Sequence, residues 1–282
     1  MNKNSLLLAV VSIALFATSG FAIETNQKKI EELKDNPRIS LKTEDSIEIG
    51  LQTYWYKYEE EVDGDFFMSN TGQKYGLSLT GIKNIGNNVY IIGDIRYATG
   101  DVKYKSASGT GDVSDDMYET RLLVGIEKVT DGALWSSFIG LGYRYLYNDL
   151  RDLGSGGYRR ESQYIYVPIG ITHRFRVNRN SRISTTFEYD YFVQGEQKSY
   201  LSDVSPADAA IFGDPVNDQN NGYGIRVNTS YEEESWSVGV FLNYWKIEDS
   251  EVNYYDDPPV VWSLLEPKND TIEAGVQVKY RF

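Results

Sequence analysis

Apolar and polar residues alternate with a period of two along most of the chain after residue 45, and this pattern constrains the fold more than any other feature. In the first such stretch, Ile47, Ile49 and Leu51 alternate with Glu48 and Gly50. Side chains of a β-strand point in turn to its two faces, so each stretch has one apolar and one polar face. The sequence therefore predicts an all-β fold of about ten antiparallel strands, although the pattern alone also allows about eight or about twelve.

Two further features separate a membrane barrel from a soluble β-sandwich, whose strands also alternate. Aromatic residues stand at the ends of the apolar faces, as Trp55, Trp135 and Tyr280 do, and membrane barrels place such rings at the level of the lipid headgroups. The polar faces carry charges of both signs, which are costly to bury in the core of a sandwich. Residues 46–282 are therefore predicted to form a transmembrane, antiparallel, up-and-down β-barrel whose strands need about 9–11 residues to cross the bilayer.

The charged residues of the polar faces are predicted to meet in the barrel lumen. Both signs are well represented, so a mutually neutralising network is expected, because it avoids uncompensated buried charge. Barrels of about eight strands are filled by side chains and only those of about 16–18 leave a wide channel. The predicted lumen network consists of Glu48, Asp94, Arg96, Glu119, Arg121, Arg144, Arg174, Glu188, Asp190, Arg226 and Glu273, and the same parity adds Glu196.

Short and long connections alternate along the chain, as they do in a barrel with short periplasmic turns and longer outer loops. The outer loops are acidic, and these charges are interpreted as solvated rather than as a ligand site. The apolar run at residues 258–265 (PPVVWSLL) is interpreted as a plug over the barrel mouth, with contact to a partner or to lipid as the alternative. The long connections are residues 59–70, 106–115, 148–159, 203–221 and 248–270.

Residues 1–22 have the pattern of a cleaved secretory signal peptide: a short basic start, an apolar run and small residues before the cleavage site. Residues 23–45 are predicted to be a short periplasmic segment. The chain has no cysteine and a single histidine, which excludes disulfides, thiolate metal sites and two-histidine zinc sites. A net charge of -13 argues against nucleic acid as a partner. No cofactor and no metal site are predicted.

The end of the chain carries a second targeting pattern. Gly275 is followed by Val276, Val278, Tyr280 and Phe282 at alternate positions, which resembles the C-terminal insertion signal of Gram-negative outer-membrane β-barrel proteins. The resemblance implies insertion by the barrel-assembly machinery and a location in the outer membrane among lipid and lipopolysaccharide. A monomer is expected.

Three functions compete. Barrel proteases of the omptin type use an Asp–His pair at the outer mouth, but the parity and position of His173 predict a lipid-facing residue at the periplasmic end, so an active protease of this type is not expected. Barrel lipid A deacylases need a His–Ser pair near the outer leaflet, which the sequence lacks. Glu188 and Asp190 could support a carboxylate hydrolase, but no convergent catalytic set accompanies them. We expect no enzyme and a structural or surface-interaction role through the outer loops, with a narrow pore for ions or small polar solutes as the alternative.

Overall fold

The computed structural model describes residues 38–130, 132–154 and 156–282. Ten long strands form a closed antiparallel barrel in which each strand pairs with its neighbours and the first strand pairs with the last. The predicted strand number is therefore confirmed. The predicted signal peptide and residues 23–37 of the predicted periplasmic segment lie outside the described residues. No helix among those residues is long and apolar enough to cross a membrane.

Thirteen strands are found in the described residues, and three of them are accessory. The barrel strands are β1 (Ser46–Val62), β2 (Asp65–Gly86), β3 (Val89–Ser106), β4 (Gly109–Thr130), β5 (Ala133–Asp149), β6 (Arg159–Arg176), β7 (Arg182–Ser199), β9 (Gly222–Glu232), β10 (Trp236–Ile247) and β13 (Lys268–Arg281). Strand β8 (Val216–Gln219) extends the outer end of β7, and β11 (Asn253–Asp257) pairs only with β12 (Val260–Leu264). A short helix, α1 (Pro206–Phe212), precedes β8.

The barrel exterior carries an apolar belt. Leu51 is 63% exposed, Leu122 is 61% exposed and Ile95 is 57% exposed, although all three are large aliphatic residues. A continuous surface of this kind is stable against hydrocarbon and not against water. Since every barrel strand is paired on both sides, no backbone edge faces the lipid, as a membrane barrel requires.

Several strands are longer than the bilayer requires, which corrects two of the predicted outer loops. Residues 59–70 and 106–115 are not loops, because β1 and β2, and likewise β3 and β4, continue beyond the belt and join through two-residue turns. The first turn, Asp63–Gly64, has positive φ at both positions, the geometry of a tight hairpin. The long strands continue because their inward side chains form an apolar core above the membrane level.

One residue assigned to the lumen by parity lies outside it. The pairing of β6 with β7 shifts register, so that Ile165 lies opposite Gln194 and Tyr166 opposite Phe192. The extra residue, Val193, reverses the alternation in the outer part of β7. Glu196 is therefore exposed, and its prediction as a lumen residue is wrong.

Candidate functional site

The lumen is crossed at mid-height by a layer of arginines and carboxylates, here called the ion layer. It unites nine of the eleven residues predicted for the lumen network. Its members come from β3, β4, β5, β7, β9 and β13, so the layer spans the full width of the barrel. They are Asp94, Arg96, Glu119, Arg121, Arg144, Glu188, Asp190, Arg226 and Glu273.

Glu273 and Glu119 are the central carboxylates of the ion layer. Glu273 accepts hydrogen bonds from Arg96 Nη2 at 2.8 Å and from Arg144 Nη2 at 2.7 Å. Glu119 accepts from both terminal nitrogens of Arg226, at 2.9 and 2.7 Å, in the bidentate geometry that suits a guanidinium. Side chains of these carboxylates are 1% exposed, so the arginines compensate their charges, and Tyr166 and Asn243 add neutral hydrogen bonds to Glu119 and Glu273 respectively.

Glu188 and Asp190, the pair considered for acid–base chemistry, are bound by arginines. Arg121 Nη1 donates to Glu188 at 2.8 Å, and Arg226 Nε donates to Asp190 at 2.6 Å. Both carboxylates are buried in the lumen. They act in the structure as counter-ions of the layer.

Above the ion layer the lumen is filled by apolar and aromatic side chains, here called the outer core. Trp245 is 1% exposed and packs edge-on against Tyr166, with ring centres 5.0 Å apart. The guanidinium of Arg144 lies 5.5 Å from the ring centre of Trp245, which joins the two layers. The other buried members are Tyr54, Tyr56, Tyr58, Met68, Ala98, Val102, Val113, Met117, Leu146, Leu150, Tyr164, Phe192 and Ile247, and Phe241 continues the cluster down to Arg96 of the ion layer.

Two carboxylates share one arginine at the outer end of the barrel. Glu60 and Glu266 both accept hydrogen bonds from Arg160, and Tyr58 donates to Glu60 at 2.7 Å. Burial and the neighbouring Glu60 raise the pKa of Glu266 to about 8, although Arg160 opposes the shift. Glu60 is 1% exposed, so its interpretation as a solvated loop charge is wrong.

Asp115 is a second acidic residue that the sequence placed in an outer loop and that lies in the interior. It is 3% exposed and pairs with Lys74, which is fully buried. Both residues lie on long strands whose inward faces continue above the membrane belt. An unpaired charge at this depth would be costly, so the pair is a structural part of the outer extension.

The periplasmic end of the lumen differs from the outer end, because it contains a cavity of about 270 Å³. We call it the vestibule. Residues 38–45, here called the strap, pass across the lower mouth of the barrel. Alternate strap residues Ile39, Leu41 and Thr43 are buried. Arg174 and Arg182, which line the vestibule, donate to strap carbonyl oxygens.

Residues 200–221 (loop 4) and 248–267 (loop 5) pack on each other at the outer face. Phe212 of α1 lies edge-on against Tyr255 and Trp262 of the β11–β12 hairpin, with ring centres 5.6 and 5.9 Å apart. The opposite face of the hairpin is open: Tyr254 is 72% exposed and Val261 is 63% exposed. We call this face, with the surrounding surface of the two loops, the platform.

The apolar run at 258–265 therefore does not plug the barrel. Its residues form the turn and second strand of the β11–β12 hairpin, and Val260, Val261, Trp262 and Leu265 are all exposed. The lumen is filled instead by the outer core, whose side chains come from the barrel strands themselves. The plug interpretation is wrong because inward residues of the long strands already occupy that space.

The remaining sequence-predicted residues lie apart from the ion layer. Glu48 pairs with Arg281 near the periplasmic end, and Arg174 contacts the strap. His173 faces outward near that end, and its ring is tilted by 36° against that of Trp135, with 4.3 Å between ring centres. Val276, Val278 and Tyr280 of the C-terminal pattern point outward from β13, and the exposed Phe282 follows the end of this strand. Gly275 lies against the backbone of β1, where a Cβ atom would collide with Tyr54.

Two features of this site were not predicted from the sequence. The apolar core in the lumen was not predicted, although the inward-facing Tyr54, Tyr56 and Tyr58 stand at alternate positions of β1 and were a usable signal. The strap carries no motif, because it is held mainly through its backbone. Among the described residues, no group of three or more His, Cys, Asp or Glu side chains could hold a metal ion.

Comparisons with known proteins give the fold and little else. No protein-family model matches the chain, and no curated protein matches it. Among solved structures, the outer membrane protease OmpT from Escherichia coli is 12% identical, with a TM-score of 0.50, over 84% of this chain and 96% of that one. OprG from Pseudomonas aeruginosa is 11% identical over 86% and 97% of the two chains, with a TM-score of 0.37. The NalP translocator domain from Neisseria meningitidis is 10% identical over 96% and 98%, with a TM-score of 0.42.

At such identities the likeness extends to the fold alone, and the activity of OmpT does not carry over to this chain. The closed sheet and the apolar belt agree with that likeness. The chain is an all-β, ten-stranded antiparallel barrel similar in fold to OmpT, and this architecture supports the predicted location in the outer membrane.

Proposed function

We propose that this protein is a surface-interaction protein of the outer membrane, with the platform as its binding surface. The observation that carries the proposal is the open face of the β11–β12 hairpin, on which Tyr254 and Val261 are largely exposed. Exposed apolar patches with a polar rim are typical of interaction sites. Within the described residues, β11 and β12 form strand pairs only with each other, so their outer edges can pair with an extended partner chain, except at the Leu264 carbonyl, which accepts from Asn217.

The charge around the platform indicates what kind of partner would fit. Loops 4 and 5 contain ten acidic residues and no lysine or arginine. Within the described residues, only three of the ten pair with a cation, which lies on a barrel strand in each case. A partner segment that carries both cationic and apolar side chains would complement this surface. The seven remaining carboxylates are Asp208, Asp214, Asp218, Asp249, Glu251, Asp256 and Asp257.

A peptide titration tests the proposal. The full-length mature protein in lipid nanodiscs is titrated with a synthetic peptide of alternating lysine and valine, and with matched peptides of alternating glutamate and valine or of lysine alone. We expect binding of the first peptide, weakened by salt because surface charges are screened. The Tyr254→Ser, Val261→Ser variant should lose at least about tenfold in affinity, since about 1.4 kcal/mol corresponds to tenfold.

The Asp112→Asn variant is the matched control, because Asp112 is an exposed acidic residue in the outer part of β4, whose sheet neighbours are β3 and β5 and not the strands that carry loops 4 and 5. Its affinity should equal that of the wild type. Equal binding by the wild type and the Tyr254→Ser, Val261→Ser variant would refute the platform as the binding surface. Lack of binding by the lysine–valine peptide would refute the proposed partner chemistry.

The pore and the enzyme are the competing functions. A pore would need a path through both the ion layer and the outer core, so we expect no steady conductance in planar bilayers. Steady openings of the wild-type protein would favour the pore instead. We assign no catalytic role to Glu188 or Asp190. The enzyme function would be supported instead if the wild type hydrolysed peptide or lipid A substrates and Glu188→Ala abolished this activity.

A further inference from the structure

The vestibule is lined by charged side chains of both signs, and within the described residues one guanidinium among them has no carboxylate partner. Its lining includes eight cationic residues and six carboxylate residues, although the whole chain carries a net charge of -13. Most of these cations form ion pairs, as Arg182 does with Glu232 and Arg281 with Glu48. Arg96 and Arg226 pair with Glu273 and Asp190, which lie behind the lining, so these cations are compensated in the ion layer.

Arg174 is the vestibule guanidinium that lacks an anion. Within the described parts of the chain, no carboxylate lies within ion-pair distance of it, and its partners are neutral: the carbonyl oxygen of Leu41 and the hydroxyl of Thr43, both at 3.1 Å. Among the described protein atoms, none accepts a hydrogen bond from its buried Nε. A buried donor of a charged group is costly when it makes no hydrogen bond. An anion that accepted a hydrogen bond from Arg174 Nε would remove this cost.

The strap occupies the positions that such an acceptor would take. Three consecutive strap carbonyls, those of Ile39, Ser40 and Leu41, accept hydrogen bonds from Arg176, Arg182 and Arg174 in that order. Guanidinium groups bind carboxylate and phosphate oxygens about twice as strongly as neutral acceptors, and often with two parallel hydrogen bonds. The carbonyls are therefore weaker ligands than an anion would be.

The cavity is large enough for an anion of this kind. About 270 Å³ exceeds the share of roughly 30 Å³ that one water molecule takes in the liquid many times over. The ion layer forms the upper wall of the vestibule, because Arg121, Glu188 and Arg226 line both. A solute that enters from below therefore stops there.

We propose that the vestibule is a binding site for a phosphate- or carboxylate-bearing solute from the periplasmic side, in which Arg174 and Arg182 exchange strap carbonyls for the anion. Binding releases the strap from the lower mouth. The proposal is independent of the platform, since it concerns the opposite end of the barrel.

Limited proteolysis with trypsin measures strap release. Lys42 is exposed in the middle of the strap and is followed by the buried Thr43, so cleavage here requires the strap to leave the mouth. The fragment beginning at Thr43 is quantified by mass spectrometry. Cleavage after Arg151, in an outer loop, serves as the internal standard for any effect of the anion on trypsin.

Inorganic phosphate and succinate are the two probes, with sodium chloride at matched ionic strength. If an anion binds only the strap-released state, its presence at ten times Kd raises the released population about tenfold, and cleavage after Lys42 rises in proportion. A larger effect of phosphate assigns the site to phosphoryl groups, and a larger effect of succinate assigns it to carboxylates. An equal effect of sodium chloride, or no effect of either probe, overturns the proposal.

Variants separate binding from a general weakening of the strap. In Arg174→Gln the strap loses one of its ligands, so cleavage after Lys42 is faster without anion and responds at least fivefold less to it. Calorimetric titration of the same variant with the more effective probe should give no heat of binding. The matched control is Arg159→Gln, which removes an arginine paired with Asp203 at the outer end and should respond as the wild type does. Retention of the full anion response in Arg174→Gln refutes the site.

Discussion

Replacing Glu273 by glutamine tests whether the ion layer is a structural part of the barrel. The substitution keeps the size of the side chain and removes one negative charge that faces Arg96 and Arg144 at 2.8 and 2.7 Å. Breaking a buried ion pair costs about 3–5 kcal/mol, because the remaining charge is left uncompensated. Glu119 stays within 3.6 and 3.7 Å of the same two arginines. We therefore expect the lower end of the range, about 3 kcal/mol.

The assay is a urea titration of the purified barrel in detergent, followed by tryptophan fluorescence. With a slope of about 3 kcal/mol per molar urea, a loss of about 3 kcal/mol lowers the unfolding midpoint by about 1 M. The control, Glu234→Gln, changes an exposed carboxylate in a periplasmic turn and should stay within about 0.5 kcal/mol of the wild type. The double variant Glu273→Gln, Arg144→Met should recover part of the loss, since it removes an uncompensated charge. A loss below about 1 kcal/mol in a correctly folded Glu273→Gln barrel would refute the reasoning.

Three other outcomes are expected. Because burial raises the folded-state pKa of Glu266 to about 8 from an ordinary value of 4.5, docking of loop 5 should weaken as the pH rises through this window, by up to about 1.4 kcal/mol per pH unit. Hydrogen-exchange protection of loop 5, taken relative to the exchange of an unfolded peptide at each pH, should fall accordingly, and Glu266→Gln should remove this fall. Gly142→Val would drive a side chain into the ring of Tyr166, 2.2 Å from the added Cβ, and should lower the free energy of unfolding by about 1–3 kcal/mol in the same urea titration. Deletion of residues 38–43 should leave planar bilayers silent, because the ion layer and outer core still close the lumen; steady openings would show that the strap is the seal.

The sequence predicts the barrel because its exterior obeys a simple rule. A lipid-facing side chain must be apolar whatever its neighbours are, so the alternation of residues such as Ile47, Ile49 and Leu51 is visible without knowledge of the fold. The two-residue alternation and the order of short and long connections then give the strand number. The rule fails locally at Val193, where one additional residue reverses the two faces and moves Glu196 outward.

The interior is harder to predict because its residues depend on partners that are distant in the sequence. Glu273 meets Arg96 and Arg144 across 177 and 129 residues, so the sequence gives the members of the ion layer but not the pairs. The buried positions of Glu60 and Asp115 follow from strands that extend beyond the membrane, for which the bilayer thickness gives no signal. Strap contacts made through backbone carbonyls leave no trace in the side-chain pattern.

The outer core explains why the barrel can be closed and charged at the same time. Ion pairs are stronger where water is excluded, and the cost of burying charge is tolerated only when every charge has a partner. Trp245 and Tyr166 cover the outer side of Arg144 and Arg226, so the aromatic layer keeps water from the ion pairs below it. The same layer continues through Tyr58 and Met68 into the strands that project beyond the membrane. Loops 4 and 5 therefore stand on a packed interior rather than over an open channel, and this rigid support favours a role for the protein at its outer surface.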